Sequence, residues 1–187
     1  MVTLLSLWLP ILLGAILVFI ASSVIHMLLP YHRNDFQKLP DEEAARAAWS
    51  GLNVPPGDYI MPFAGGPEAM RSEEFMAKVD AGPLAMVTVL PPETWKSMGP
   101  QLTQWFLYSV LVSFFTAYVA SATLPAGAEY LSVFQVTGAV AFACYGLALP
   151  QRSIWFAQNW PATLKSMFDA LIYAAVTAGA FGMLWPA

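Results

Sequence analysis

The chain is short of charge. Only 11% of its 187 residues are Asp, Glu, Lys or Arg, against about 25% in soluble domains. A soluble fold of this length could not cover its surface with so few. Basic residues are the scarcer sign, eight Lys and Arg against twelve Asp and Glu, for a net charge of −4. Cysteine occurs once, as Cys144. This excludes an internal disulfide, a thiolate metal site and c-type haem attachment, each of which needs a pair. Inside an apolar run, Cys144 reads as a small packing residue. Histidine occurs twice, as His26 and His32. There is no Gly-Lys-Ser/Thr phosphate loop, dinucleotide fingerprint, metal-ligand spacing, nucleophile elbow or basic stripe for nucleic acid.

What fills the chain instead is apolar sequence, 58% of all residues. Four runs stand out, 4–29, 101–123, 130–149 and 164–185, each reaching the ~20 residues that cross ~30 Å of hydrocarbon. The fold class expected is an α-helical integral membrane protein with about four transmembrane helices. Residues 30–100 form a small cytoplasmic α+β insert between the first and second helices, and 101–187 a three-helix transmembrane region. Arg33, Lys38, Arg46, Arg71, Lys78 and Lys96 lie in the insert, Arg152 between the third and fourth runs, and Lys165 at the start of the fourth. An even walk through four spans puts all eight on one side, and basic residues mark the cytoplasm. Both termini are then periplasmic. Arg33, Lys38, Lys96, Arg152 and Lys165 lie close enough to span ends to set that orientation. The first run lacks the basic start, short apolar core and A-x-A site of a signal peptide, so it is expected to be a retained helix. Two aromatic belts support the register: Trp8, Tyr130 and Trp185 at one interface, Tyr31, Trp105, Trp155 and Trp160 at the other.

The insert carries its own signals. Asp41-Glu42-Glu43 opens a helix that Gly51 stops. Residues 58–63 and 84–90 read as strands, expected to pair as a two-stranded sheet. A helix over 68–79, with Met70, Phe75, Met76 and Val79 on one side, is expected to pack across it. A sheet of two strands is marginal alone, so the insert needs the membrane helices or a partner as a floor. Its ten acidic and six basic side chains make it no surface for anionic lipid or nucleic acid.

Within the spans, Ser109, Ser113, Ala117 and Ser121 recur at a spacing of four. The fourth helix offers Ala174, Ala178 and Gly182, and the third Ala139 and Ala143. Such rows allow close backbone approach in lipid, and the second and fourth helices are expected to use theirs for tight contacts. The buried polar residues expected are His26, Asp169 and Gln135. Asp169 is the one acidic group well inside an apolar span, where carboxylates are costly and mark functional sites. It reads as a proton relay or as a carboxylate paired with Lys165, Arg152 or His26. Glu129 caps the third helix. Ser22, Ser23, His26 and Asp169 supply the residue types of a hydrolytic triad without its framework. His26 and His32, six apart, fall on different faces of a continued helix, which argues against a bis-histidine haem. No cofactor or metal follows from these residues.

Leu29-Pro30-Tyr31-His32-Arg33-Asn34-Asp35-Phe36, Pro55-Pro56-Gly57-Asp58-Tyr59 and Ala81-Gly82-Pro83 resemble segments of a family of small bacterial inner-membrane proteins with about four transmembrane helices. So do Leu124-Pro125-Ala126-Gly127-Ala128-Glu129, Phe134-Gln135-Val136-Thr137-Gly138, Asp169-Ala170-Leu171-Ile172-Tyr173 and Gly182-Met183-Leu184-Trp185-Pro186. The resemblance covers nearly the whole chain. It implies an architecture and a bacterial inner-membrane setting but no activity, and no catalytic residue is carried over from it.

Three functions are weighed. The first is a non-catalytic accessory or scaffold subunit that packs against other integral membrane subunits of a larger electron-transfer or photosynthetic type of complex. The second is a small oligomeric proton-linked transporter or channel using Asp169. The third is a membrane enzyme, for which the sequence offers no constellation. The first is the expected function, with the lipid bilayer and other membrane subunits as partners and no nucleic acid.

Overall fold

The computed structural model describes residues 2–187. It divides into two compact units, a helical one formed by the chain up to Gln37 with Gly99–Ala187, and Lys38–Met98. The insert is therefore shorter than 30–100, because residues 30–37 fold with the helices. Four helical stretches are long and apolar enough to cross a membrane: Leu4–Leu28, Gly99–Thr123, Tyr130–Phe156 and Trp160–Met183.

The first stretch opens with a 3-10 turn capped by Thr3, continues as α1 (Trp8–Ser23) and ends in a π turn over Val24–Leu28. In the insert, α2 (Glu42–Leu52) is capped by Asp41, which accepts from the Ala44 amide at 2.9 Å. Gly51 does not stop it; Asn53 does, in the left-handed conformation with φ 49°, where a short polar side chain is tolerated. Strands β1 (Gly57–Met61) and β2 (Ala85–Val89) pair antiparallel, with Tyr59 opposite Val87. Between them α3 (Glu73–Ala81) is capped by Ser72. The backbone contacts of α3 run chiefly to the 3-10 turn before it (Ala69–Arg71) rather than across the strands. A groove between α2 and β2 is lined by Trp49, Val87 and Val89. No insert residue is fully buried, as a unit too small to close its own core requires.

In the helical unit α4 spans Gly99–Thr123, α5 Tyr130–Tyr145, α6 Pro150–Phe156 and α7 Trp160–Met183. The third helix stops short of Leu149 because Pro150 has no N–H to give the Gly146 carbonyl. The Leu149 amide takes that carbonyl at 3.1 Å, and Pro150 opens α6. The Ser153 and Thr163 hydroxyls, 2.6 Å apart, tie α6 to α7. Helix α7 begins four residues before the apolar run, with Pro161 in its first turn, where proline is preorganised.

The small-residue rows do make tight contacts, but not with each other. Helix α4 packs on α1 and α5, and α7 on α5 and α1. Ser109, Ser113, Ala117, Ala174 and Ala178 are buried, and Ser121 and Gly182 partly so. Gly182 admits the Tyr130 ring: a Cβ there would stand 2.5 Å from it. Ala139 and Ala143 are exposed, because α5 buries the row Val133, Thr137, Ala141 and Tyr145 instead. Gln135 lies on the opposite side of α5 from that row and is exposed, contrary to its expected burial.

The core has two parts. One gathers Val18, Ile25, Val112, Tyr145, Ala170 and Tyr173. The other, toward the chain termini, gathers Val2, Leu7, Ala117, Val133 and Phe181. Beside it the Trp185 indole donates to the Pro125 carbonyl at 2.9 Å. Of the aromatic belts, Trp8, Tyr130, Trp155 and Trp160 are exposed, whereas Trp105 turns inward and donates to Ser22 at 2.8 Å.

Candidate functional site

The polar centre of the helical unit is built where the chain turns back after the first helix. The Arg33 amide bonds to the Pro30 carbonyl and the Asp35 amide to the His32 carbonyl, each at 3.1 Å. These two turns fold residues 30–35 back beside the end of the helix, so the His32 ring lies against that of His26, tilted by 40° with centroids 4.7 Å apart. The helical continuation that would separate the two histidines is absent. Pro30 is what breaks it.

Opposite this turn, α7 presents Lys165, Asp169 and Tyr173 on one face, since a spacing of four repeats a helix position. Each meets a different rung of the reversed chain. The Lys165 ammonium donates to Asp35 Oδ1 at 2.6 Å. Asp169 Oδ2 lies 2.8 Å from His32 Nε2, and the Tyr31 hydroxyl donates to Asp169 Oδ1. The Tyr173 hydroxyl approaches His26 Nε2 at 3.4 Å. His32 is also bonded through Nδ1 to Asp35 Oδ2 at 2.5 Å, so its ring stands between two carboxylates.

Asp169 is 2% exposed, which an ionised carboxylate tolerates only with partners. It finds them in Tyr31 and His32, not in Lys165, Arg152 or His26 as the sequence suggests. Burial pushes the Asp35 carboxyl up, but the hydrogen bonds and charges of Lys165 and His32 outweigh it and hold the group below its ordinary value. Burial first, and the bond to Asp169 second, raise the Tyr31 phenol. His26, expected to be buried, is exposed: Ile25 takes the inward position in the π turn. It lines a cleft of about 450 Å³ with His32, Asp35, Arg152, Asn159 and Ser166.

Other sequence candidates lie apart from this centre or act structurally. The Ser22 and Ser23 hydroxyls both donate to the Phe19 carbonyl, at 2.9 and 2.8 Å, so neither is poised against His26. Glu129 holds the N-cap position of α5 without a side-chain cap bond. His26, His32 and Asp169 are brought together such that one ligand atom from each lies within 4.8 Å of the others, a grouping that sequence spacing does not announce. Sequence reasoning gives Tyr31 only a place in an aromatic belt, weighs His32 only as a haem ligand and assigns Asp35 no role; the signal available is a cluster of polar groups directly after Pro30. Comparison with protein-family models, with curated proteins and with solved structures finds no match to this chain.

Proposed function

We propose that this is a multi-pass protein of the bacterial inner membrane, with residues 38–98 on the cytoplasmic side, that serves as a non-catalytic accessory subunit of a larger membrane complex. The observation that carries the reading is the occupancy of its two central carboxylates. Both oxygens of Asp169 and both of Asp35 are engaged within the chain, by Tyr31, His32 and Lys165. A network satisfied in this way clamps the turn onto α7 and commits both carboxylates to contacts within the chain. The charge of Lys165 is spent inside the clamp, and an electron-transfer or photosynthetic assembly is the setting we infer for such a subunit.

Against proton-linked transport stands the apolar cluster of Leu7, Ala117, Val133 and Phe181, one residue from each spanning helical stretch, beyond which, among the described residues, the chain carries no buried titratable group toward the other end of the bundle. In favour of packing with other membrane subunits stand the large side chains that α4 turns outward, Leu107, Leu111, Phe114, Phe115 and Tyr118. The test is extraction in mild detergent followed by native electrophoresis. A scaffold subunit migrates with a much larger complex; a chain that runs alone as a monomer overturns the reading.

A further inference from the structure

We propose that His26, His32 and Asp169 form a binding site for a divalent transition metal ion of the zinc type. The donor set is two imidazoles and one carboxylate, which suits zinc and its neighbours rather than magnesium or calcium, whose sites are built of oxygen. Three protein ligands leave one tetrahedral position for water or another molecule, and His26 and His32 line a cleft through which either can arrive.

The distances are compatible with closure on an ion. One ligand atom from each residue lies within 4.8 Å of the others. Ligands bonded tetrahedrally at ~2.0–2.1 Å stand about 3.4 Å apart, so the widest pair closes by about 1.4 Å at most. His26 supplies that movement. It is exposed, and its Nε2 makes only the long 3.4 Å approach to Tyr173, so its ring turns at little cost.

The surroundings are those that orient metal ligands. His32 gives Nδ1 to Asp35, and Lys165 holds Asp35 from the other side. This is the carboxylate–histidine arrangement that presents Nε2 to a metal and raises its basicity. Tyr31 occupies Asp169 Oδ1, which leaves Oδ2, the oxygen facing His32, as a monodentate ligand. On binding, the ion takes the place of the hydrogen between His32 Nε2 and Asp169 Oδ2, the pair opening from 2.8 Å to about 3.4 Å, and that proton leaves to solvent. The ion then joins the end of the first helix, the turn after it and α7 through one centre. The site does not depend on any partner subunit.

The experiment uses the full chain in detergent, purified through a tag without histidine and stripped with EDTA. Zinc affinity and stoichiometry are measured by competition with a chromogenic chelator, and Co2+ is added as a spectroscopic probe. The expected result is one equivalent of Zn2+ per chain, tetrahedral Co2+ bands in the visible, and no competition by a large excess of Mg2+. His26→Gln, which leaves the Asp169 and Asp35 contacts in place, should weaken zinc binding at least tenfold with an unchanged melting temperature in EDTA. Asp35→Asn should weaken it about 10–100-fold through the orientation of His32. Failure to bind stoichiometric zinc, or binding by His26→Gln equal to that of the parent, overturns the proposal.

Discussion

Asp35 and Lys165, separated by 130 residues of chain, join at 2.6 Å, Lys165 Nζ donating to Asp35 Oδ1. The same Asp35 holds His32, which reaches Asp169. An acid and a base from each side of the contact thus form one connected clamp. Its coupling should be measurable in a double-mutant cycle. Lys165→Met and Asp35→Asn each destabilise the protein, and the double variant loses less than their sum, with a coupling energy of about 1–2 kcal/mol. Partial exposure of Lys165 keeps the value below that of a fully buried pair. Denaturation in mixed micelles reads it; strict additivity would show that the two residues act independently.

Removal of the Asp169 side chain is a harsher change. Asp169→Ala leaves the Tyr31 hydroxyl and His32 Nε2 without their acceptor in a site that is 2% exposed at its centre. The expected loss is about 3–5 kcal/mol, seen as a lower melting temperature in detergent without added metal. A loss under about 1 kcal/mol, the range of exposed pairs, would contradict a clamp.

Packing near the other end of the bundle can be tested at Gly182. A Cβ there falls 2.5 Å from the Tyr130 ring. Gly182→Ala should therefore destabilise the α5–α7 contact by about 1–3 kcal/mol. Adding Tyr130→Leu, which removes the ring, should recover part of the loss. If Tyr130→Leu gives no recovery, the ring is not what Gly182 accommodates.

Orientation is open to labelling. In a Cys144→Ala background, Ser72→Cys in the insert should stay unmodified by a membrane-impermeant thiol reagent in intact cells and react after lysis. Ala126→Cys, in the loop between α4 and α5, should react in intact cells. Reversed labelling would place residues 38–98 on the periplasmic side.

Long apolar runs, the strand pair and the cap of α2 were all legible from the chain, because each depends on local composition or on a period of a few residues. What escaped was set by the direction of the chain after Pro30. Treated as the continuation of a helix, His26 and His32 diverge; in the structure two turns bring their rings into contact. Lys165 and Asp169 look like each other's partners because they are four apart on one helix, yet each pairs with a residue more than 120 positions away. The exposure of Gln135 is hidden for a related reason: α5 is largely apolar around its circumference, so hydropathy does not say which face turns inward. Neighbouring helices decide that, and they choose the row from Val133 to Tyr145.

The apolar cluster of Leu7, Val133 and Phe181 would also bear on which side of a membrane the polar centre faces. With the bundle seated in a bilayer, that cluster would stand between the cleft and the opposite interface, as the dielectric stands between the plates of a capacitor. Protons and ions in the cleft would then equilibrate with one compartment only. Whatever binds beside His32 would report the chemistry of that compartment and remain nearly blind to the other.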